Sequence, residues 1–184
     1  MHHKYTGVIL KQFPLSEADE LLTIYTREAG KLRVLARGAR RIQSRLAGSL
    51  QSLNEVEFET HFRRPDSGRG MPILISARIK TMNEYLRLNL KKFAFALVGI
   101  ETLYRLTPDS QENADAYDLL LNFLRNLGES MDEDLEVRRF QLRLLQVFGF
   151  AAPNANEVSQ GDLDHMLQNV MERELKSKKL LNYL

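Results

Sequence analysis

Residues 30–50 read GKLRVLARGARRIQSRLAGSL and contain both a strand pattern and the densest positive charge of the chain. From Lys31 to Arg37 basic and apolar side chains alternate, with Leu35 as an apolar exception, and this is the period of two of a strand with one buried face. This register places Lys31, Arg33 and Arg37 on the solvent face of a strand. Gly38 ends the alternation, so we predict that the strand stops there.

The second half of the stretch changes its period. Ile42, Leu46 and Leu50 recur at intervals of four residues, while the side chains between them are mostly polar or basic. Apolar residues at i, i+4 and i+8 form one face of an α-helix. The spacing therefore predicts a short amphipathic helix over residues 40–50.

Alternating patterns also occur on both sides of this stretch. Two precede it, at residues 6–11 and 20–26, and two follow it, at residues 55–63 and 73–79. Three strands, a short helix and two further strands are the order of the OB-fold, a five-stranded Greek-key barrel. An open three-plus-two sheet with a helix across one face is the alternative architecture.

The two later strands supply the clearest inward face. The alternation places five apolar side chains in the predicted barrel core: Val56, Phe58, Phe62, Ile73 and Ile75.

After residue 81 the period of the apolar residues changes from two to 3.6. Four amphipathic stripes begin near residues 86, 117, 137 and 163, and short loops separate them. Gly128 and Gly149 are the expected stops of the second and third helices, and Ser159 or Asp162 is the expected N-cap of the fourth. The predicted fold class is α+β, with an OB-fold nucleic-acid-binding domain at 1–80 and a helical domain at 81–184.

The positive charge of the chain is concentrated in one stretch. The whole protein has a formal net charge of only +2, yet residues 30–50 hold six basic side chains and no acidic one. Clustered cations are typical of a surface that meets phosphate, because a polyanion offsets their mutual repulsion. The alternative interpretation is a solvated basic loop without a partner. The predicted phosphate contacts are Lys31, Arg33, Arg37, Arg40, Arg41 and Arg45.

Motifs for catalysis and metal binding are absent from the sequence. The chain has no cysteine, no P-loop motif and no H-E-x-x-H motif, and its serines form no G-x-S-x-G. The carboxylate clusters at 132–134 and 162–164 stand where helices should begin, so helix capping explains them better than a magnesium site. We therefore expect a binding protein, with no catalytic residue, no cofactor and no metal.

The N-terminal residues lack the apolar core of a signal peptide, and no apolar run reaches the ~20 residues of a membrane span. A chain without cysteine fits a reducing compartment. We expect a cytoplasmic protein.

Many of these segments, taken in order, resemble the RecO family of bacterial recombination mediators. The stretches that carry the resemblance are TGVILK (6–11), EADELLT (17–23), YTREAGK (25–31), ARGARR (36–41), RLAGSLQ (45–51), EVEF (55–58), YRLTP (104–108), FQLRLL (140–145) and ELKSKKLL (174–181).

The resemblance implies an N-terminal OB-fold followed by a helical domain. It implies binding of single- and double-stranded DNA, annealing of complementary strands and assistance in loading the RecA recombinase, with the protein associated with the nucleoid during repair. The implied partners are RecR and the single-strand-binding protein. It implies no catalytic residue.

In one respect the chain departs from the family pattern. Many relatives carry a four-cysteine zinc module between the third long helix and the C-terminal segment. Here FAAPNAN (150–156) leads almost directly to the last helix and no cysteine is present, so the resemblance is to a short form without the module.

Two other function classes fit the same patterns. An RNA-binding OB module would use the cluster equally well, and a protein–protein adaptor would act through the acidic helical domain. Tyr25 and Phe13 are weaker candidates for base stacking, which OB-folds often use. General burial tendencies favour a core or interface position for each of them.

Overall fold

The computed structural model describes residues 2–44, 46, 48–62, 71–153, 155, 158–171 and 175–181. The chain forms two compact units. The first comprises Met1–Asn83 together with Asp109–Ala114, and the second comprises Glu84–Pro108 together with Asp115–Leu184.

Five strands of the first unit pair in the order β1-β2-β3-β5-β4 and close into a barrel. Their bounds are β1 His2–Pro14, β2 Glu20–Thr26, β3 Gly30–Ala36, β4 Glu55–His61 and β5 Ile73–Thr81. All pairs are antiparallel except β3 with β5, which meet in parallel at Leu35 and Ile73. This is the strand order of an OB-fold, so the predicted fold class, such a barrel followed by helices, is confirmed.

The barrel core contains two of the five residues predicted for it. Val56 and Phe58 are buried, and they pack with a cluster that includes Ile9, Ile24 and Val34. Aliphatic and aromatic side chains from all five strands therefore supply the hydrophobic stabilisation of this unit.

The core prediction is wrong for Ile75, which is 44% exposed, and Phe62 and Ile73 are only half-buried. Thr60 pairs with Leu74 but the preceding Glu59 pairs with Ser76, so Ile75 is an extra residue in β5. Such a bulge changes which side chains face inward. Leu74 takes the buried position instead.

The segment from residue 40 to residue 50 is not the predicted helix in its described part. Arg41 N donates to Gly38 O at 3.2 Å and Ser44 N to Arg41 O at 2.9 Å, and both bonds span three residues, as in turns. Leu50 reaches the core, as an inward position of the stripe requires, but Ile42 is fully exposed. The described part of this segment is a series of turns, and these turns bring Leu50 into the core.

The second unit is helical. Its helices are α1 Glu84–Leu88, α2 Leu90–Leu106, α3 Ala114–Glu129, α4 Glu133–Val147, α5 Gln160–Met171 and α6 Lys178–Leu181. The first predicted helix is divided at Asn89, whose side chain caps α2 by accepting from Lys92 N. Of the helices in the described ranges, none has the length and apolarity that a bilayer span requires.

Glycines act in two ways at the ends of these helices. Gly149 follows α4 with φ of +77°, so it is the predicted stop. Gly128 is not a stop, since α3 continues to Glu129. A Cβ at residue 128 would lie 2.2 Å from the ring of Tyr85, so the close approach of this ring requires glycine.

A buried carboxylate in α2 holds the C-terminal segment of the unit. Glu101 is 8% exposed and accepts from Lys176 N at 3.0 Å and from Ser177 N at 2.7 Å. Ser177 Oγ and Arg105 also donate to it. Burial by itself raises the pKa of Glu101, but the hydrogen bonds from Ser177, Lys176 and Arg105 outweigh burial and lower the pKa below its ordinary value.

We predict that Leu74→Ala lowers the free energy of unfolding by about 2–5 kcal/mol, because it empties a core position. Ile75→Ala, the matched control one residue away, should change it by about 0.5 kcal/mol or less, because this side chain is exposed. Urea denaturation measures both values. Equal losses for the two variants would contradict the bulge.

We predict that Glu101→Gln destabilises the helical unit at pH 7 and that its difference from the wild type shrinks in acid. The folded-state pKa is lowered, so the carboxylate stabilises the fold above its ordinary pKa of 4.5. That contribution is lost as the pH falls through the lowered folded-state pKa. Denaturation curves of both proteins between pH 7 and pH 3 measure it, and a pH-independent gap would contradict it.

Candidate nucleic-acid interface

Two loops meet beside the end of β3. The first, residues 15–19, joins β1 to β2, and the second, residues 37–41, follows β3. Asp19 Oδ1 accepts from Gly38 N at 2.8 Å, and Arg40 N donates to Ala18 O at 3.0 Å. Gly38 has φ of +66°, a conformation that glycine adopts without steric cost. We call these two segments the loop pair.

Three of the predicted phosphate contacts lie on the loop pair with exposed side chains: Arg37, Arg40 and Arg41. The Arg40 guanidinium donates to Ser16 O at 2.7 Å and so also joins the two loops. The guanidinium groups of Arg37 and Arg41 form no hydrogen bond or ion pair with another described residue. Both side chains are exposed, so an anion from solvent can reach them.

Carboxylates also lie in the loop pair. Glu17 is exposed, and Asp19 is half-buried and holds the Gly38 amide. The positive charge of the surface is thus concentrated on the 37–41 side rather than spread over both loops.

The structure places two other predicted contacts differently. Lys31 is only 6% exposed, and its Nζ lies 3.3 Å from Asp109 Oδ1. Arg33 is exposed, but its Nη2 lies 3.3 Å from Asp109 Oδ2. Both cations are therefore paired within the barrel unit. Arg45, the sixth predicted contact, lies outside the described residues.

The two aromatic candidates for base stacking differ in exposure. Tyr25 is fully buried in the barrel, and burial raises the pKa of Tyr25 to about 12. The hypothesis that it stacks on a base is therefore wrong. Phe13 is 65% exposed near the end of β1, beside Leu15 at 56% and next to the loop pair. Stacking by Phe13 stays a prediction.

A cleft of about 410 Å³ opens elsewhere on the barrel, between β1, β4 and β5. Both cations of its lining are paired with carboxylates of the same unit. Lys4 Nζ lies 3.2 Å from Glu59 Oε1, and Arg78 Nη2 lies 2.6 Å from Glu57 Oε2. The hydrogen bond from Arg78 lowers the pKa of the Glu57 carboxyl. The third carboxylate of the lining, Glu28, has no cation opposite it there, so the cleft has no excess positive charge to offer a phosphate.

Both carboxylate clusters lie at the starts of helices. Asp132 Oδ1 accepts from Leu135 N at 3.0 Å at the start of α4, which confirms the capping prediction for the first cluster. At the start of α5, Ser159 Oγ accepts from Asp162 N at 3.2 Å. Within the described part of the chain, no three acidic or histidine side chains stand together as metal ligands.

Sequence reasoning missed Asp109, the acidic residue that meets Lys31 and Arg33. It lies in the link between α2 and α3, within a polar stretch that has no motif. No local signal could have revealed this contact, because it joins residues that are far apart along the chain.

The fold and this surface define a class: an OB-fold barrel with an arginine-bearing loop pair, followed by a helical unit. Two family models match the chain. The model described as Recombination protein O N terminal matches residues 1–81, and the model described as Recombination protein O C terminal matches residues 87–164. The chain belongs to the RecO family.

Curated relatives support the assignment. The DNA repair protein RecO of Exiguobacterium sp. is 28% identical over 163 residues, which are 89% of this chain and 64% of the relative. That of Symbiobacterium thermophilum is 34% identical over 146 residues, 78% of this chain and 55% of the relative. That of Listeria monocytogenes is 30% identical over 146 residues, 79% and 55%. The chain thus spans about half to two thirds of the length of these relatives.

We predict that Asp19→Ala loosens the loop pair. It removes a charged acceptor from the Gly38 amide, a loss of about 1.5 kcal/mol, so this amide should exchange its hydrogen about tenfold faster. Glu17→Ala is the matched control, because the Glu17 carboxylate accepts no hydrogen bond from a described residue. Hydrogen exchange followed by NMR measures both variants. Unchanged protection of Gly38 in Asp19→Ala would contradict the role given to this carboxylate.

Proposed function

We propose that this chain is a non-enzymatic, DNA-binding recombination mediator. It binds single- and double-stranded DNA, anneals complementary strands and assists the loading of RecA during recombinational repair. Its partners are RecR and the single-strand-binding protein, and it works in the cytoplasm, at the nucleoid. Membership of the RecO family and the relatives' name, DNA repair protein, support the proposal.

One observation carries the DNA-binding part. Arg37 and Arg41 are exposed beside Arg40, and their guanidinium groups have no partner among the described residues. They lie where the loop between β1 and β2 meets the end of β3, and OB-folds bind oligonucleotides on this face. Exposed, unpaired guanidinium groups suit phosphate oxygens, which they contact with two parallel hydrogen bonds.

The same cations account for annealing. Each phosphate that an arginine neutralises releases condensed counterions and lowers the repulsion between two strands. Two complementary strands held on one basic surface can therefore approach each other. The contacts are to the backbone, so this activity does not depend on base sequence.

The five described cations divide into three groups. Arg37 and Arg41 contact phosphate directly. Arg40 contacts phosphate and also holds the loop pair together through Ser16 O. Lys31 is buried and Arg33 is exposed, and both are paired with Asp109.

A strand-annealing assay tests the proposed function. Both complementary strands are first coated with the single-strand-binding protein, and duplex formation is followed with and without this protein. We expect faster annealing with it, and no acceleration at any concentration would overturn the proposal. Competition between single-stranded DNA and RNA of the same sequence tests the RNA-binding alternative, and preferential binding of RNA would favour that alternative.

We predict that Arg37→Ala and Arg41→Ala each weaken the binding of single-stranded DNA alike for all sequences. Each removes one phosphate contact, so the slope of log K against log salt should flatten by about 0.7. Fluorescence anisotropy at several salt concentrations measures the slope.

Lys4→Ala is the matched control for both variants. It removes one positive charge from an 84% exposed side chain near the opposite end of β1, where Lys4 is paired with Glu59. We expect its slope to remain that of the wild type. If Lys4→Ala flattens the slope as much as Arg37→Ala does, the loop pair is not the DNA surface.

A further inference from the structure

A short segment from the link between α2 and α3 lies along β3. Lys31 and Asp109 form a parallel β-bridge, and Ser110 N donates to Lys31 O at 2.9 Å. These residues belong to the barrel unit. We call residues 109–111 the strap.

The backbone of β3 is shaped to receive the strap. A Cβ on Gly30 would lie 1.8 Å from Gln111 O, so only glycine allows the strap to pass at this point. Ser110 has φ of +58°, a left-handed conformation that is unfavourable for serine. The strap therefore follows a specific path over the start of β3, and its contacts there maintain a strained residue.

The strap brings a carboxylate into the basic cluster. One oxygen of Asp109 lies 3.3 Å from Lys31 Nζ, and the other lies 3.3 Å from Arg33 Nη2. The oxygen that faces the exposed Arg33 guanidinium stands where a phosphate oxygen would contact it. The Asp109 side chain is 46% exposed and that of Arg33 is 50% exposed, so a ligand from solvent can reach both.

We propose that Asp109 occupies the position of a DNA phosphate and competes with DNA for the exposed Arg33. This inference rests on the proposed function. A strand first binds Arg37 and Arg41, which have no partner among the described residues, and it reaches Arg33 only when the strap carboxylate leaves. Asp109 thus limits the affinity of the resting protein for DNA.

The energetics permit such an exchange. The pair between Arg33 and Asp109 joins two exposed side chains, and ion pairs of this kind contribute little to stability and are weakened by salt. A strand that is already bound at Arg37 presents its neighbouring phosphates at a high effective concentration. A polyanion can therefore replace one carboxylate, although a free monovalent anion would compete poorly.

The decisive variant is Asp109→Asn, which keeps the size of the side chain and removes its charge. Freeing one cation for a phosphate steepens the salt slope for single-stranded DNA by about 0.7, which corresponds to about fivefold tighter binding at 0.1 M salt. Glu112→Gln is the matched control, because this exposed side chain in the same link makes the same charge change and has no described partner. It should leave the slope unchanged.

A double-mutant cycle with Arg33→Ala gives the second readout. In the otherwise wild-type chain, Arg33→Ala should flatten the slope less than Arg37→Ala, because Asp109 already holds Arg33. In the Asp109→Asn background, Arg33→Ala should flatten it by about 0.7, as for a free cation. Thermal denaturation verifies that each variant is folded.

Several outcomes overturn the inference. A folded Asp109→Asn protein with wild-type or weaker affinity would do so. If Asp109→Asn does not fold, the comparison of Arg33→Ala with Arg37→Ala in the wild-type background decides, and equal effects would overturn it. A wild-type protein that binds no DNA at all is a distinct result, since it would overturn the proposed function itself.

Discussion

The barrel depends on the close approach of the backbone in the middle of β1 to residues 24 and 25 of β2. The first half of this strand pairs with β4 and the second half with β2, and the exchange of partners falls at Gly7 and Val8. A Cβ on Gly7 would lie 2.6 Å from Ile24 Cγ2 and 2.8 Å from the carbonyl oxygen of Tyr25. Only a residue without a side chain allows β1 to cross here. One long coiled strand then closes the sheet on both of its sides.

The closure of the barrel determines where the loop pair lies. Because β1 continues to Pro14, the loop that follows it lies beside the C-terminal end of β3. There the Asp19 carboxylate accepts a hydrogen bond from the Gly38 amide, and the Ala18 carbonyl accepts one from the Arg40 amide. The arginines of residues 37–41 are thereby held on a turn rather than on a regular helix. In these turns all three arginine side chains are exposed, while Ala39 between them is buried. The proposed DNA surface follows from this local geometry.

Local patterns predicted much of the fold, and the errors have identifiable causes. Alternation depends on neighbouring residues, so it revealed five strands and their order. It could not reveal the bulge at Ile75, because an extra residue is defined only by the partner strand. Three apolar residues at intervals of four predicted a helix over 40–50, but Ile42 is exposed and successive turns bring Leu50 to the core. Gly128 was predicted as a stop, yet it serves the packing of Tyr85.

The sequence by itself determined the family, the strand order and the concentration of six cations within residues 30–50. These features are local, since each depends on residue types at short spacing. Only the tertiary structure decided which cations are available. It buried Lys31, paired Lys31 and Arg33 with Asp109, and left the guanidinium groups of Arg37 and Arg41 without a described partner. The physical reason is that an ion pair depends on distance in space, and the barrel places Asp109 beside β3 although the chain separates them widely.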